Sequence, residues 1–149
     1  LNDVKIDDPK RVLDSYAFQL SGGMAQRVMI SMAMINKPKL ILADDPTTAL
    51  DVTVQKTVLS IMKEVISQKN MSMLLISHNL GVVREFADRI YVIYQGTILE
   101  EGSTEQIFNA PGHIYTQTLL QAIPKINSSK LPNLSSANID YLKQPKFTH

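Results

Sequence analysis

Two adjacent carboxylates follow a short apolar run in this chain of 149 residues. The run covers residues 40–43, and the acids are Asp44 and Asp45. A continuous apolar run of this length predicts a strand that is covered on both faces. Carboxylates at the end of such a strand could hold a hydrated Mg²⁺ ion and polarise a water molecule beside a phosphate. Taken alone, the pair is more typical of a solvated turn at a strand end.

A second apolar run covers residues 73–76 and ends at Ser77 and His78. Apolar positions at helical spacing between residues 53 and 69 separate the two runs. The order strand, helix, strand predicts a parallel α/β sheet. In such sheets ligands bind outside the carboxyl ends of the strands. We therefore expect Asp44, Asp45 and His78 at one edge of the sheet.

A serine and two glycines precede a predicted helix that ends near residue 35. They are Ser21, Gly22 and Gly23. The free N–H groups and the dipole at a helix N-terminus favour a phosphate, and glycine lets the backbone approach a ligand closely. In isolation these residues are more typical of an ordinary helix cap.

The remaining sequence sets limits on the class of protein. The chain has no cysteine and a formal net charge of +1. Disulfides and thiolate metal sites are therefore excluded, and the charge gives no indication of nucleic-acid binding. No apolar run reaches the ~18 residues of a membrane-spanning helix. Because the chain begins with Leu1 in polar sequence, we expect it to be a fragment.

Further elements are predicted after the second strand. The pattern indicates a short helix near residues 80–87, a hairpin over residues 90–101 split by Gln95 and Gly96, and a capping box formed by Ser103 and Gln106. Another helix is expected near residues 115–122, ending at Pro124.

Four motifs between residues 20 and 78 resemble those of the ATP-binding subunits of ABC transporters. The stretch "LSGGMAQR" resembles the signature motif, and "LILADD" resembles the Walker B strand. Next, "TALD" resembles the D-loop, and "ISH" resembles the segment with the H-loop histidine. Their occurrence in the family's order makes the combination far more specific than any single motif.

The resemblance implies a partial P-loop NTPase (RecA-like) parallel sheet, with part of the ABC helical subdomain and a C-terminal extension. Residues 1–102 would be the C-terminal part of the ATPase domain. Residues 103–124 resemble the segment that follows this domain in peptide and nickel importers, although His113-Ile114-Tyr115 stands where that group usually has His-Pro-Tyr. Residues 125–149, rich in Ser, Asn, Lys and Pro, are expected to be a flexible tail.

The resemblance also implies ATP and Mg²⁺ as cofactors. Asp44 would be the metal ligand, and Asp45 and His78 would be the catalytic residues. The residues implied in cofactor binding are Ser21, Gly22, Gly23, Gln26 and Asp51. Of these, the signature residues would complete the ATP site of a second ATP-binding subunit in a head-to-tail dimer.

The other implied partners are transmembrane permease subunits and, indirectly, a solute-binding protein, with no nucleic acid. Such subunits lie peripherally on the cytoplasmic face of the cell membrane.

Two departures from the family pattern limit the expected activity. No glycine of the chain belongs to a GxxxxGK[ST] P-loop, so the resemblance implies that this loop and the Gln-loop lie upstream of residue 1. In addition, Asp45 stands where the family has its catalytic glutamate and is one methylene shorter. We therefore expect the isolated chain to be inactive.

Three functions remain open on the sequence. The leading one is the ATP-hydrolysing subunit of an importer for peptides or related small solutes, here without its Walker A part. The second is a truncated or degenerate, non-hydrolysing dimerisation partner. The third, an ABC ATPase acting on DNA or ribosomes, is disfavoured by residues 103–124 and by the low net charge. The transported solute and the choice between homodimer and heterodimer stay undetermined.

Overall fold

The computed structural model describes residues 1–48, 50–122 and 140–148. The chain divides into two compact units, Leu1–His78 and Asn79–His149. Among the described residues, no helix is long and apolar enough to cross a membrane.

The first unit contains three helices and a two-stranded parallel sheet. The helices are α1 (Pro9–Leu13), α2 (Gly22–Met34) and α3 (Val52–Gln68), and the strands are β1 (Leu40–Asp44) and β2 (Ser72–Ile76). Short 3-10 turns cover Asn2–Val4 and Ala17–Gln19. Leu40 pairs with Ser72 and Asp44 with Ile76, so the two strands run side by side along their whole length. The predicted parallel β–α–β arrangement is confirmed.

Helix α3 supplies more buried apolar residues to this unit than any other described element. Its apolar residues recur at helical spacing, so one face of the helix is buried. The buried residues are Val58, Leu59, Ile61, Met62 and Val65. The helix begins at Asp51, whose side chain accepts hydrogen bonds from the first free backbone N–H groups.

The prediction that β1 is covered on both faces is wrong. Burial alternates along the strand, with Ile41 and Ala43 buried and Leu40 and Leu42 exposed. Strand β2 alternates in the same way, and Leu74 and Ile76 are about half exposed. Successive side chains of a strand point to opposite faces, so a covered face and an open face can both be apolar in sequence. The apolar run at residues 40–43 therefore could not indicate that the face with Leu40 and Leu42 is exposed in the described structure.

The second unit is built on an antiparallel hairpin. Strands β3 (Arg89–Tyr94) and β4 (Thr97–Ser103) are joined at Gln95 and Gly96, both with positive φ. Two such residues in succession suit the tight turn of a hairpin, and the predicted hairpin is confirmed.

Three helices accompany the hairpin in the described part of this unit. They are α4 (Leu80–Phe86), α5 (Thr104–Asn109) and α6 (Ile114–Gln121). The capping box of Ser103 and Gln106 is present at the start of α5, as predicted. The predicted helix end at Pro124 lies outside the described residues.

Part of the expected flexible tail over residues 125–149 has secondary structure, namely residues 140–148. They form a 3-10 turn, Tyr141–Lys143, and a short strand, β5 (Phe147–Thr148), that pairs in parallel with β4. The polar composition of the segment predicted flexibility, but the segment also contains two aromatic residues, Tyr141 and Phe147. Both pack against aromatic rings of the second unit. The rest of the expected tail lies outside the described residues.

Candidate functional site

Asp45 and His78 meet at the carboxyl end of the parallel sheet. The Asp45 backbone N–H donates to the carbonyl of Ile76 at 2.9 Å, one residue beyond the last pair of the two strands. The chain then turns at Asp45, where φ is +39°. Nδ1 of His78 lies 2.9 Å from Oδ2 of Asp45. Because an ionised carboxylate only accepts, the ring N–H at Nδ1 is the donor.

The imidazole favours the charged form of Asp45. The hydrogen bond from His78 is the main reason that the pKa of Asp45 lies below its ordinary value, and a hydrogen bond from Ser77 lowers it further. Partial burial of Asp45 opposes this shift. The His78 side chain is 82% exposed, so it can reach a ligand while it contacts Asp45.

Asp44 is the last residue of β1 and is exposed beside this pair. Within the described residues, no group of three His, Cys, Asp or Glu side chains is placed to hold a metal ion by itself. Mg²⁺ usually binds one or two protein carboxylates and completes its shell with water and substrate phosphates. Asp44 fits that donor set, and it does not fit a metal site made of protein ligands only.

The signature-like residues lie at the start of α2. The Ser21 hydroxyl oxygen accepts the backbone N–H of Met24 at 3.3 Å, so Ser21 is the N-cap of the helix. A Cβ on Gly23 would lie 2.6 Å from Val54, and one on Gly22 would lie 3.1 Å from Leu50. Contact with the chain itself therefore leaves no room for a side chain at Gly23 and little room at Gly22, whether or not a phosphate approaches them.

Asp51 lies in the chain between Leu50 and Val54, the two residues that the glycines approach. Its carboxylate accepts the N–H groups of Thr53 at 3.0 Å and Val54 at 2.9 Å, as the N-cap of α3. Asp51 therefore has a structural role in addition to its expected role in cofactor binding. Gln26 lies half-buried one turn into α2.

The predicted site residues fall into two groups in the first unit. One group holds Asp44, Asp45 and His78 at the strand ends. The other lies where α2 begins beside the start of α3.

Arg27 was not predicted to have a role. Its Nη1 donates to the backbone carbonyl of Lys5 at 2.9 Å and thereby ties α2 to the N-terminal turn. The sequence showed only that Arg27 is a cation on the predicted helix that begins at the two glycines, and it gave no indication of the partner at Lys5.

A parallel β–α–β edge with two acids and a histidine, together with a glycine-bearing helix cap, is the arrangement of a P-loop NTPase fold of the ABC ATPase class. Residues 1–48 match the family described as ABC transporter. Residues 99–146 match the family described as oligopeptide/dipeptide transporter, C-terminal region. The resemblance to the ATP-binding subunits of peptide-type ABC importers is confirmed.

Curated relatives are similar over most of this chain. A glutathione import ATP-binding protein of Salmonella choleraesuis is 48% identical over 130 residues, which are 87% of this chain and 21% of the relative. A peptidoglycan transport ATP-binding protein of Agrobacterium fabrum is 53% identical over 122 residues, 82% of this chain and 22% of the relative. The chain therefore spans about a fifth of the length of these relatives.

Solved structures share the fold. One is a dimeric post-hydrolysis state of the ATP-binding cassette MJ0796 bound to ADP and Pi, with 30% identity and a TM-score of 0.58 over 69% of this chain and 43% of that one. Another is cbiO1 from Clostridium perfringens, part of the ABC transporter complex cbiONQ, with 22% identity and a TM-score of 0.66 over 74% and 43% of the two chains.

The substitution His78→Ala is expected to raise the pKa of Asp45 towards its ordinary value, because the main cause of its depression is removed. The ionised Asp45 stabilises the fold above the pKa of the unfolded chain, and this contribution is lost as the pH falls through the folded pKa. NMR titration of the side-chain carboxyl carbons measures the pKa of Asp45 in the parent and in His78→Ala.

Asp3 is the internal control for this titration. Its pKa is lowered chiefly by a hydrogen bond with Lys69 and should not change in His78→Ala. The substitution Lys69→Ala should do the reverse, raising the pKa of Asp3 and leaving that of Asp45 unchanged. A pKa of Asp45 that is the same with and without the imidazole would contradict the assigned contact.

Proposed function

We propose that this chain is the C-terminal part of an ATP-hydrolysing subunit that energises the import of peptides or related small solutes. The observation that carries the proposal is the contact of Asp45 with His78 at the carboxyl end of two parallel strands. This edge follows a glycine-bearing helix cap in the chain. The names of the curated relatives, glutathione import and peptidoglycan transport, support a peptide-type solute.

Each residue at the strand ends has a proposed part in the reaction. Asp44 would bind Mg²⁺, whose chemistry is to neutralise charge on the ATP phosphates. Asp45, whose charged form His78 favours, accepts a hydrogen bond from a water molecule and orients it. His78 is exposed, and in its doubly protonated form it could donate a second hydrogen bond from Nε2 towards the terminal phosphate while Nδ1 donates to Asp45.

The helix cap serves a second subunit in this proposal. Ser21, Gly22 and Gly23 present the free N–H groups of α2, which suit the phosphates of an ATP molecule held by that subunit. Gln26 and Asp51 flank this surface. The dimer would be head to tail and would act on transmembrane permease subunits at the cytoplasmic face of the membrane, with a solute-binding protein as an indirect partner.

A non-hydrolysing dimerisation partner is the second candidate function. It is favoured by one feature, the short side chain of Asp45, which already contacts His78 and so has limited reach towards a water molecule. In that case the helix cap would serve the partner's ATP while this chain's own site stays inactive.

The proposal is tested by joining this chain to the upstream part of the Salmonella choleraesuis relative. The isolated chain should show no saturable site for Mg-ATP at micromolar concentration, because no segment of its sequence can form a P-loop. The joined protein should bind Mg-ATP in the micromolar range in titration calorimetry.

The substitution Asp44→Asn in the joined protein tests the metal ligand. It should weaken ATP binding in the presence of Mg²⁺ and leave ATP binding in the presence of EDTA unchanged. Micromolar binding by the isolated chain, or none by the joined protein, would refute the proposal.

A further inference from the structure

The C-terminal residues 140–148, here called the strap, lie on the edge of the hairpin in the second unit. Phe147 pairs with Glu100 and Thr148 with Glu101, both in the parallel direction. Addition of an extended segment to a sheet edge is a common mode of peptide recognition, in which main-chain hydrogen bonds give affinity and side-chain pockets give specificity. A strand of only two residues makes few main-chain bonds. The side chains must therefore supply much of the binding.

A notch at Gly112 receives the ring of Phe147. A Cβ on Gly112 would lie 2.6 Å from Cδ1 and 2.7 Å from Cγ of this ring. His113, which is fully buried, meets the same ring edge-on, with 6.3 Å between the ring centroids. Since no backbone strain requires glycine at this position, the missing side chain is explained by the space that the aromatic ring occupies.

The walls of the notch are held by a buried carboxylate. Glu100 is completely buried, and its two oxygens accept the N–H groups of Gly112 at 2.7 Å and His113 at 3.1 Å. Nδ1 of His113 in turn accepts the N–H of Tyr115 at 3.0 Å and caps α6. These hydrogen bonds hold the notch from the β4 side and do not involve the strap.

The strap has a second aromatic anchor. The ring of Tyr141 packs edge-on against Tyr94 at 5.5 Å and Tyr115 at 5.0 Å, measured between centroids. Tyr94 and Tyr115 also contact each other, at 4.8 Å. Two anchors six positions apart define both the direction and the register of the strap on the hairpin.

We propose that the β4 edge and the Gly112 notch form a binding site for an extended peptide segment with an aromatic side chain, and that the chain's own C-terminal strap occupies it. Neither of the roles proposed for ATP involves these residues. The bound strap contacts the loop at Gly112 and His113 from one side, and Glu100 contacts this loop from the other side. Removal of the strap would therefore loosen the start of α6.

The test traps the strap by a disulfide bond in the full chain. The chain contains no cysteine, so the double variant E101C/T148C has a single possible pair. Paired positions of neighbouring strands lie within disulfide reach, and we expect bond formation under mild oxidation at least ten-fold faster than in the control E101C/Q144C. Phe147→Ala should slow trapping to the control rate. Lys146→Ala, at the exposed neighbour, should leave it unchanged.

Gly112→Ala gives an independent test of the notch. It should slow trapping when Phe147 is present and have no further effect in the F147A background, because the clash exists only with the ring. If Gly112→Ala prevents folding, the comparison of Phe147→Ala with Lys146→Ala still decides the question. Equal trapping rates for the two cysteine pairs would overturn the proposal. Disulfide-linked dimers whose fraction rises with protein concentration would also overturn it, since the occupant would then be the strap of a second copy.

Discussion

The substitution Asp45→Glu is expected to raise kcat at least about ten-fold in the joined protein described above. General-base catalysis contributes ~10²–10⁴ in rate and depends on the distance to the water that the base contacts. A misplacement of about 1 Å can cost ~10²-fold. In the structure the Asp45 carboxylate lies 2.9 Å from His78 and is one methylene shorter than a glutamate would be. The measurement is steady-state ATP turnover at saturating Mg-ATP.

The Michaelis constant should barely change, since this carboxylate acts on the water molecule and not on nucleotide binding. The matched control is Asp45→Asn, which keeps the length of the side chain and its tolerance of the positive φ but removes the charge. It should lower whatever activity the parent has. Equal kcat values for parent and Asp45→Glu would show that the turn at residue 45 already brings the shorter carboxylate to the water molecule.

The first unit shows what could be predicted from sequence and why. Strand, helix and strand between residues 40 and 76 were predictable because apolar periodicity and strand length are local properties. The meeting of Asp45 with His78 followed from a rule of parallel sheets, that strand ends of the same direction share an edge. The direct hydrogen bond and the left-handed turn at Asp45 could not be predicted, since they depend on how residues 45 and 78 leave their strands.

The glycines of the helix cap show the limit of reading a motif. Gly22 and Gly23 were interpreted as making room for a phosphate. In the structure they lie against Leu50 and Val54, a contact between segments that lie far apart in the chain, and their role towards a phosphate stays a prediction. A sequence motif states which residue type is needed, and only the fold shows which neighbour requires it.

The strap shows which contacts the composition of a segment does not indicate. Composition alone suggested flexibility, because Ser, Asn, Lys and Pro dominate residues 125–149. The two aromatic residues that anchor residues 140–148 contact partners at positions 94, 112 and 115. Such long-range pairs leave no periodic signal in a single sequence.

The substitution Leu42→Lys is expected to reduce self-association of the isolated chain without unfolding it, whereas Ala43→Lys should unfold it. Leu42 is 69% exposed and belongs to the open face that also carries Leu40, Leu74 and Ile76; Ala43 is 6% exposed and points to the other side. Neighbouring strand residues differ in this way because the side-chain period is two. An open apolar face and an unpaired edge promote association between chains, so a charge on that face should oppose it.

Sedimentation velocity measures the association, and circular dichroism with a urea titration measures the fold. The parent should sediment as a concentration-dependent mixture, and Leu42→Lys should shift it towards the monomer with the circular dichroism spectrum retained. A lysine at position 43 must bury an ammonium group without a partner, which costs several kcal/mol. This cost is a large part of the whole stability of a typical domain, ~5–15 kcal/mol. If both substitutions unfold the chain to the same extent, the side of β1 that carries Leu42 is covered in solution, and the open face described here is wrong. A parent that is already monomeric, with a sharp and reversible thermal transition, would show that the apolar face does not drive association.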